Sequence, residues 1–535
     1  MKILFVATRK NRDPEERELY EMDLMNEVLG FKRSLYDLGI LTVAACTPER
    51  FEVAVRDEYL APIDYDEPAD LVALSAKTSC VARAYEVARE FRARGRRVVL
   101  GGIHASLRPD EALEHVDAIV TGEAEELWPT VLADLEAGTL QRRYDTAGFP
   151  DMAAIPFPRW PAPQTGAAPP ARDFLFHQLQ TTRGCPFQCR FCSVPDISGQ
   201  AFRFKPVERV IAEIRSLPRS GRLRDRMKSL YVVDDNFISR TRYTRELLQA
   251  LAPVYRAGEL PEWSAETTLN VATDEALLDL FQEAGCTTLI IGFESVSEAT
   301  LKAMKKGINF CLTYQEATER IHRRGMSIVG NFIVGFDTDT PDVFRNTRDF
   351  IFQNNILYPF FSILTPMPGT ALFDEIQAEG RLDHQDWGLF DTRHVVFEPR
   401  HMSREELMDG YVWLYEQCYT TDAAFANLTR YWDRPERAGS SLLERLYVRW
   451  RVARSRLISE RGREFCRRGL ARMARRGAKG DVAQLLYYLD SGHFADFLER
   501  YKSPRYAEHA RRFEQGGPTA DRMQWEDRRL TGAAR

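Results

Sequence analysis

Apolar residues recur along this chain with two different periods, and their alternation predicts a layered α/β fold. Short continuous apolar runs at 3–7, 40–45, 71–75, 98–100 and 118–121 read as buried strands. Between them lie stretches with helical spacing, such as 81–92, where Val81, Ala84, Ala88 and Phe91 fall on one face. Strands that alternate with helices form a parallel sheet covered on both faces, and such a sheet holds ligands at the carboxyl ends of its strands. Two loops stand at those ends: the one starting at Ser75 (Ser-Ala-Lys-Thr-Ser) and the turn Gly101-Gly102-Ile103-His104.

The pattern then breaks. Residues 150–170 contain seven Pro in 21 positions and read as a stiff, extended linker. A second alternation follows, with strand-like runs at 179–183, 230–235, 263–268, 289–294, 328–336 and 360–364, and helical patterns such as 206–216 and 274–284 between them. Six such units predict an incomplete barrel whose chemistry sits at the carboxyl ends of its strands. Beyond residue 400 the spacing is helical. The chain therefore divides into a sheet domain (1–140), a linker (141–172), a partial barrel (173–400) and a helical extension (401–535).

Composition narrows this picture. The 535 residues are 44% hydrophobic and 28% charged, with a net charge of −5 and a mean hydropathy of −0.37. No apolar run reaches the length needed for a spanning helix. The first apolar stretch turns polar at Thr8, which suits a first strand rather than a signal peptide, so the cytoplasm is the expected compartment. One segment departs from the acidic average: 444–480 carries 13 Lys and Arg against 3 Glu, with Leu446, Trp450, Ala453 and Leu457 at helical spacing. It predicts a basic amphipathic helix, either a solvated face packed on the barrel or a contact with an anionic substrate or, peripherally, with anionic membrane. No RNA-binding module accompanies it, so specific nucleic acid is not expected.

Nine Cys are an odd number, and only Cys185, Cys189 and Cys192 cluster, which favours a metal site over disulfides. The remaining thiols include Cys311 and Cys418, read as buried structural residues or as late hydrogen donors. The three clustered Cys follow a predicted strand and Gly184, at spacings that reach three corners of a cubic iron–sulfur cluster and leave the fourth iron open. Zinc is the alternative, but it calls for a fourth His or Cys at short range. None lies between Cys192 and Cys286, and His177 is upstream on the strand.

This CxxxCxxC arrangement, with Phe191 before its last Cys, resembles the signature of radical S-adenosylmethionine (SAM) enzymes across roughly 173–400. The resemblance implies a [4Fe–4S] cluster on the three Cys and SAM bound at its open iron. It further implies Asp234 and Asp235 at the methionyl ammonium and Glu266 at the ribose. Gly292 and Glu294 would supply close backbone approach and a buried carboxylate, and Gly335 would lie beside adenine.

The order of sheet domain, Pro-rich linker and barrel resembles the cobalamin-binding class of that superfamily, with a C-terminal stretch similar to hopanoid methylase-like relatives. In such a class the sheet domain is a doubly wound, Rossmann-like B12-binding domain. The Ser75 loop, Gly101, Gly102, His104 and Glu123 would then line the cobalamin site, although Lys77 stands where that class has Leu. The motif that supplies cobalt with a lower histidine ligand is absent, so no protein histidine is expected on the lower face of cobalt. The implied activity is a cobalamin-dependent C-methylation of an unactivated carbon, through a 5′-deoxyadenosyl radical and methylcobalamin. A small-molecule or lipid-like substrate and an external electron donor such as flavodoxin or ferredoxin go with it. Two alternatives remain: a non-methylating radical cyclisation or oxidation, and a non-catalytic iron–sulfur sensor or scaffold.

Overall fold

Two parallel sheets carry the architecture of this computed structural model, which describes residues 1–10, 21–158, 173–218, 227–306, 313–433, 441–474 and 481–515. The first sheet comprises β1 (Lys2–Ala7), β2 (Glu52–Asp57), β3 (Leu71–Ser75), β4 (Arg97–Gly101), β5 (Ala118–Thr121) and β6 (Arg143–Asp145), in the order β2-β1-β3-β4-β5-β6. Every neighbouring pair is parallel. Its central strands are buried on both faces, which is why they read as continuous apolar runs.

The run at 40–45 is a correction. It lies in a helix, Leu38–Ala45, and the strand beside β1 is β2. A short, wholly apolar run fits a buried helix as well as a buried strand. Here the Asp37 side chain accepts from Ile40 N and caps the helix start, while the more polar β2 occupies the sheet edge. The sheet also extends beyond residue 140, since β6 pairs with β5. Most of the Pro-rich segment, 159–172, lies outside the described residues, as do Cys311 and 475–480.

The second sheet holds β7 (Phe176–Leu179), followed by a short antiparallel pair of its own, β8 (Thr182–Arg183) with β9 (Arg203–Phe204), and then β10 (Ser229–Val232), β11 (Trp263–Thr267), β12 (Cys286–Glu294), β13 (Ser327–Val334) and β14 (Tyr358–Ile363). Strands β7 and β10 to β14 are hydrogen-bonded in strict chain order and parallel throughout, an open six-stranded arc. Helices such as Val207–Ser216, Thr241–Arg256 and Glu275–Glu283 cover its outer face with one apolar side each.

Residues 21–34 leave the first sheet and join the barrel's side of the molecule. The helix Asp23–Leu29 buries Leu24, Met25, Val28 and Leu29 in the same core as the barrel helices, and Asp490 Oδ1 caps it from the far end of the sequence. The stretch after β14 packs back on the first sheet. Phe373, Trp387, Phe390 and Val396 sit in one core with Val72 and Phe91, and Lys10 pairs with Asp391. The basic segment forms two helices rather than one, Leu442–Arg454 and Glu460–Met473, because Ser459 caps a new start after the turn at Ser455. Cys418 is buried, and burial pushes its thiol up, in keeping with the structural reading.

Candidate active site

The clustered Cys lie on a loop that springs from the carboxyl end of β7 through β8. Gly184 begins the loop at φ 90°, and a Cβ there would stand 2.4 Å from the Ala201 carbonyl oxygen, so only Gly passes this point. The loop closes on itself through Cys185 N to Gly199 O (3.3 Å) and Cys192 N to Cys189 O (3.1 Å). Asp234, after β10, fixes the entry to the loop: its carboxylate accepts from Thr181 N (2.6 Å), Thr182 N (3.0 Å) and the Thr181 hydroxyl (2.5 Å). With 1% of its surface exposed, Asp234 is thereby engaged within the fold. Its neighbour Asp235 accepts from Gly184 N (3.1 Å) through one oxygen.

Glu266, Glu294 and Lys306 gather beside Asp235. Glu266 on β11 accepts from the Tyr231 hydroxyl of β10, and burial pushes its carboxyl up to about 6, with Asp235 and Glu294 adding to the shift. Glu294 ends β12 at φ 60°, where the strand register slips between Gly292 and Glu294. Lys306 Nζ donates to Glu294 Oε1 at 2.9 Å, both side chains being almost buried. Gly292 makes room for this pair, since a Cβ there would lie 2.3 Å from Glu294 Oε1 and 3.2 Å from Lys306 Nζ. Burial raises all three thiols, Cys192 to about 12, and the Lys306 charge opposes that rise at each of them.

Phe191 stacks edge-on against Phe336 with ring centres 6.1 Å apart, which brings the Cys loop against the end of β13. Gly335 turns there at φ 101°; its N–H goes to Asp339 Oδ2 (3.0 Å), and Leu407 fills the space a side chain would need.

The first sheet has the strand order whose switch point falls between β1 and β3, where such sheets bind cofactors. Thr8 Oγ1 and Arg9 Nε follow β1 there, buried and without a hydrogen-bond partner among the described residues. An amide-bearing cofactor such as cobalamin suits those two atoms. The Ser75 loop and the Gly101-Gly102 turn touch directly: Gly102 adopts φ 91°, and a Cβ on it would stand 2.8 Å from Ser75 Oγ.

His104 and Glu123 are occupied elsewhere. The His104 ring is fully buried, with Nδ1 near Thr78 Oγ1 (3.4 Å), Nε2 near Glu111 Oε1 (3.3 Å) and its plane edge-on to Trp387. His115 stacks on Tyr85. Both ring nitrogens of His104 thus lie against protein side chains. His104→Ala is therefore expected to leave the electronic and EPR spectra of bound cob(II)alamin unchanged. Nitrogen splitting that disappears in that variant would reinstate His104 as a ligand.

Glu123 joins the two sheets. It accepts from Arg203 Nη1 (2.9 Å) and from Arg183, and Arg183 Nη2 also donates to Glu125 Oε1 at 2.6 Å. The strand pair that carries the Cys loop is thus clamped to the end of β5. Arg183, Arg203, Lys306 and Thr8 were not singled out from the sequence. Arg183 had a usable signal, its place immediately before Gly184-Cys185, whereas Lys306 had none.

Comparison with known proteins agrees with this geometry. The Radical SAM superfamily matches residues 179–351 and the B12 binding domain matches 28–132. The chain is 31% identical over 390 residues to the bacteriochlorophyllide d C-12(1)-methyltransferase of Chlorobaculum tepidum, covering 72% of this chain and 83% of that one. It is 30% identical over 370 residues to the hopanoid C-2 methylase of Rhodopseudomonas palustris, covering 68% of each. Among solved structures, the cobalamin-dependent SAM radical enzyme OxsB, with aqua-cobalamin and SAM bound, shares the fold at a TM-score of 0.59 and 13% identity, covering 96% of this chain and 83% of that one.

Proposed function

The chain belongs to the B12-binding radical SAM enzymes that include these methyltransferases, and on that premise we propose that it methylates an unactivated carbon of a small-molecule or lipid-like substrate. The observation that carries this reading is the clamp Arg183–Glu123/Glu125, which holds the three-Cys loop against the carboxyl end of the cofactor-binding sheet. Its cofactors are a [4Fe–4S] cluster, SAM and cobalamin. When bound, the cluster and SAM supply a carbon radical that removes hydrogen, and the corrin supplies the methyl group.

The chain's own residues do the rest. Cys185, Cys189 and Cys192 hold three irons, and Gly184 and Asp234 fix the loop that presents them. Asp235 and Glu266 take the cationic and hydroxyl parts of SAM, with Gly292, Glu294, Gly335 and Phe191 shaping the pocket. Thr8, Ser75, Gly101 and Gly102 border the corrin. Incubation with SAM, reductant and candidate substrates should give a product heavier by one CH2 per turnover; products of unchanged or lower mass would indicate cyclisation or oxidation instead.

Asp235→Asn and Glu266→Gln should each weaken SAM binding about tenfold while the cluster spectrum persists, since a charge-assisted hydrogen bond contributes about 1.5–3 kcal/mol. Unchanged affinity in both would show that SAM lies elsewhere.

The electron donor is a flavodoxin- or ferredoxin-like protein in this reading, and the substrate is met at a membrane surface. No helix among the described residues is long and apolar enough to cross a membrane. The helix Leu442–Arg454, however, buries Val448 and Val452 and is tied to the carbonyls of Val28 and Leu29 by Arg451 and Tyr447. It turns Leu442, Leu443, Leu446 and Trp450 outward, each more than half exposed, with Arg449, Arg454 and Arg456 alongside. An apolar stripe bordered by Arg suits an anionic bilayer. Co-sedimentation with phosphatidylglycerol vesicles should be strong at low salt and weak with phosphatidylcholine. Leu446→Glu with Trp450→Glu should reduce it at least tenfold, since each buried side chain contributes about 1.5–3 kcal/mol. No sedimentation at low salt would remove the membrane from the reading.

A further inference from the structure

Lys306 is an almost buried ammonium placed among acids. The groups around it are Glu266, Glu294 and the three thiols, and its hydrogen bond is to Glu294 at 2.9 Å. Several features of the fold serve to hold it there. Lys306 N donates to Leu301 O (2.8 Å), Lys305 before it takes φ 57°, Glu294 takes φ 60°, and Gly292 leaves out the side chain that would collide with both members of the pair. The ion pair with Glu294 is what holds the ammonium at this place, both side chains being almost buried. The Cys loop lies against the segment that carries Lys306: Arg190 N, between Cys189 and Cys192, donates to Met304 O (3.4 Å), and Phe191 packs in one cluster with Met304.

A cluster on three thiolates brings negative charge into this acidic pocket and gains one further unit when it takes up one electron. Placing that charge beside three carboxylates is costly at low dielectric unless a cation offsets it. We infer that Lys306 is the charge-compensating residue of the iron–sulfur cluster, held in place by Glu294, and that it favours the reduced cluster. The inference rests on the reading that Cys185, Cys189 and Cys192 hold the cluster. Lys306 acts through space, as a positioning residue for charge, and takes no part in bond making.

The test is a redox titration with dithionite, followed by EPR, of the anaerobically reconstituted full chain without SAM. One electron passes from dithionite to each oxidised cluster. In Lys306→Gln the reduced-to-oxidised ratio at a fixed potential should fall about tenfold, which corresponds to about 59 mV for one electron. Lys306→Arg should restore most of it. Glu294→Gln, which removes a negative charge and keeps the ammonium, should shift the ratio the opposite way. Loss of packing alone would not give opposite signs. An unchanged ratio in Lys306→Gln overturns the inference. If that variant fails to assemble a cluster, Glu294→Gln decides: an upward shift supports the inference, and no shift or a downward one overturns it. Absence of any cluster from the wild-type chain would instead refute the underlying reading of the three Cys.

Discussion

Replacing Cys185, Cys189 and Cys192 together by Ala is expected to abolish both the iron–sulfur absorbance and SAM-dependent formation of 5′-deoxyadenosine. Each of the three holds one corner, and the loop has no fourth thiol to substitute for a lost one. The scaffold of that loop does not depend on the thiols. Gly184 is placed by its close approach to Ala201, and the preceding turn by the three hydrogen bonds to Asp234. The triple variant should therefore keep the wild-type far-UV circular dichroism, which separates loss of cluster from loss of fold. Iron content and 5′-deoxyadenosine yield are the measurements, and full retention of both would sink the assignment.

Arg183→Met should separate two activities that the intact protein couples. Arg183 is nearly buried between Glu123 and Glu125, and these contacts join the Cys loop to the end of β5. Removing one side of a buried ion pair costs about 3–5 kcal/mol because the remaining charges lose their partners. That strain falls on the contact between the Cys loop and the end of β5, whereas Glu266 and Glu294, which the proposed function places at SAM, are held by Tyr231 and Lys306 of the barrel. SAM cleavage should survive at a substantial level. Methyl transfer should fall about 100-fold, since an error of about 1 Å between reacting groups has that effect. Product methylation and 5′-deoxyadenosine are quantified in the same reaction. Equal losses in both would mean that the clamp only stabilises the fold.

Much of this could be read from local pattern. Five of the six barrel strands lie where the strand-like runs placed them, within a few residues, whereas the first, expected at 179–183, is Phe176–Leu179 and shares only Leu179 with that run, whose end belongs to β8. The three Cys, Gly184 and Phe191 were legible because their chemistry is carried by adjacent residues. The outward stripe Leu446 and Trp450 was legible in part, although the helix that carries it ends at Arg454 and leaves Leu457 half-buried.

What remained belonged to contacts between distant positions. Whether 40–45 is helix or strand depends on which segment occupies the edge beside β1, and an apolar run is compatible with both. Asp234 and Asp235 are adjacent and chemically identical, yet the backbone turns one toward the Thr181 and Thr182 amides and leaves the other beside the Cys loop. His104 stood next to a glycine turn and suggested a cofactor contact, but Glu111 and Trp387 enclose it. The sequence by itself determined the alternation of elements and the thiol loop, since each is specified by residues within one strand, helix or turn. Only the tertiary structure decided which charges meet: Arg183 finds Glu125 across 58 positions, and Lys306 turns back to Glu294 at the end of β12. Such pairings form where burial leaves two charges no other partner, and burial is a property of the whole fold.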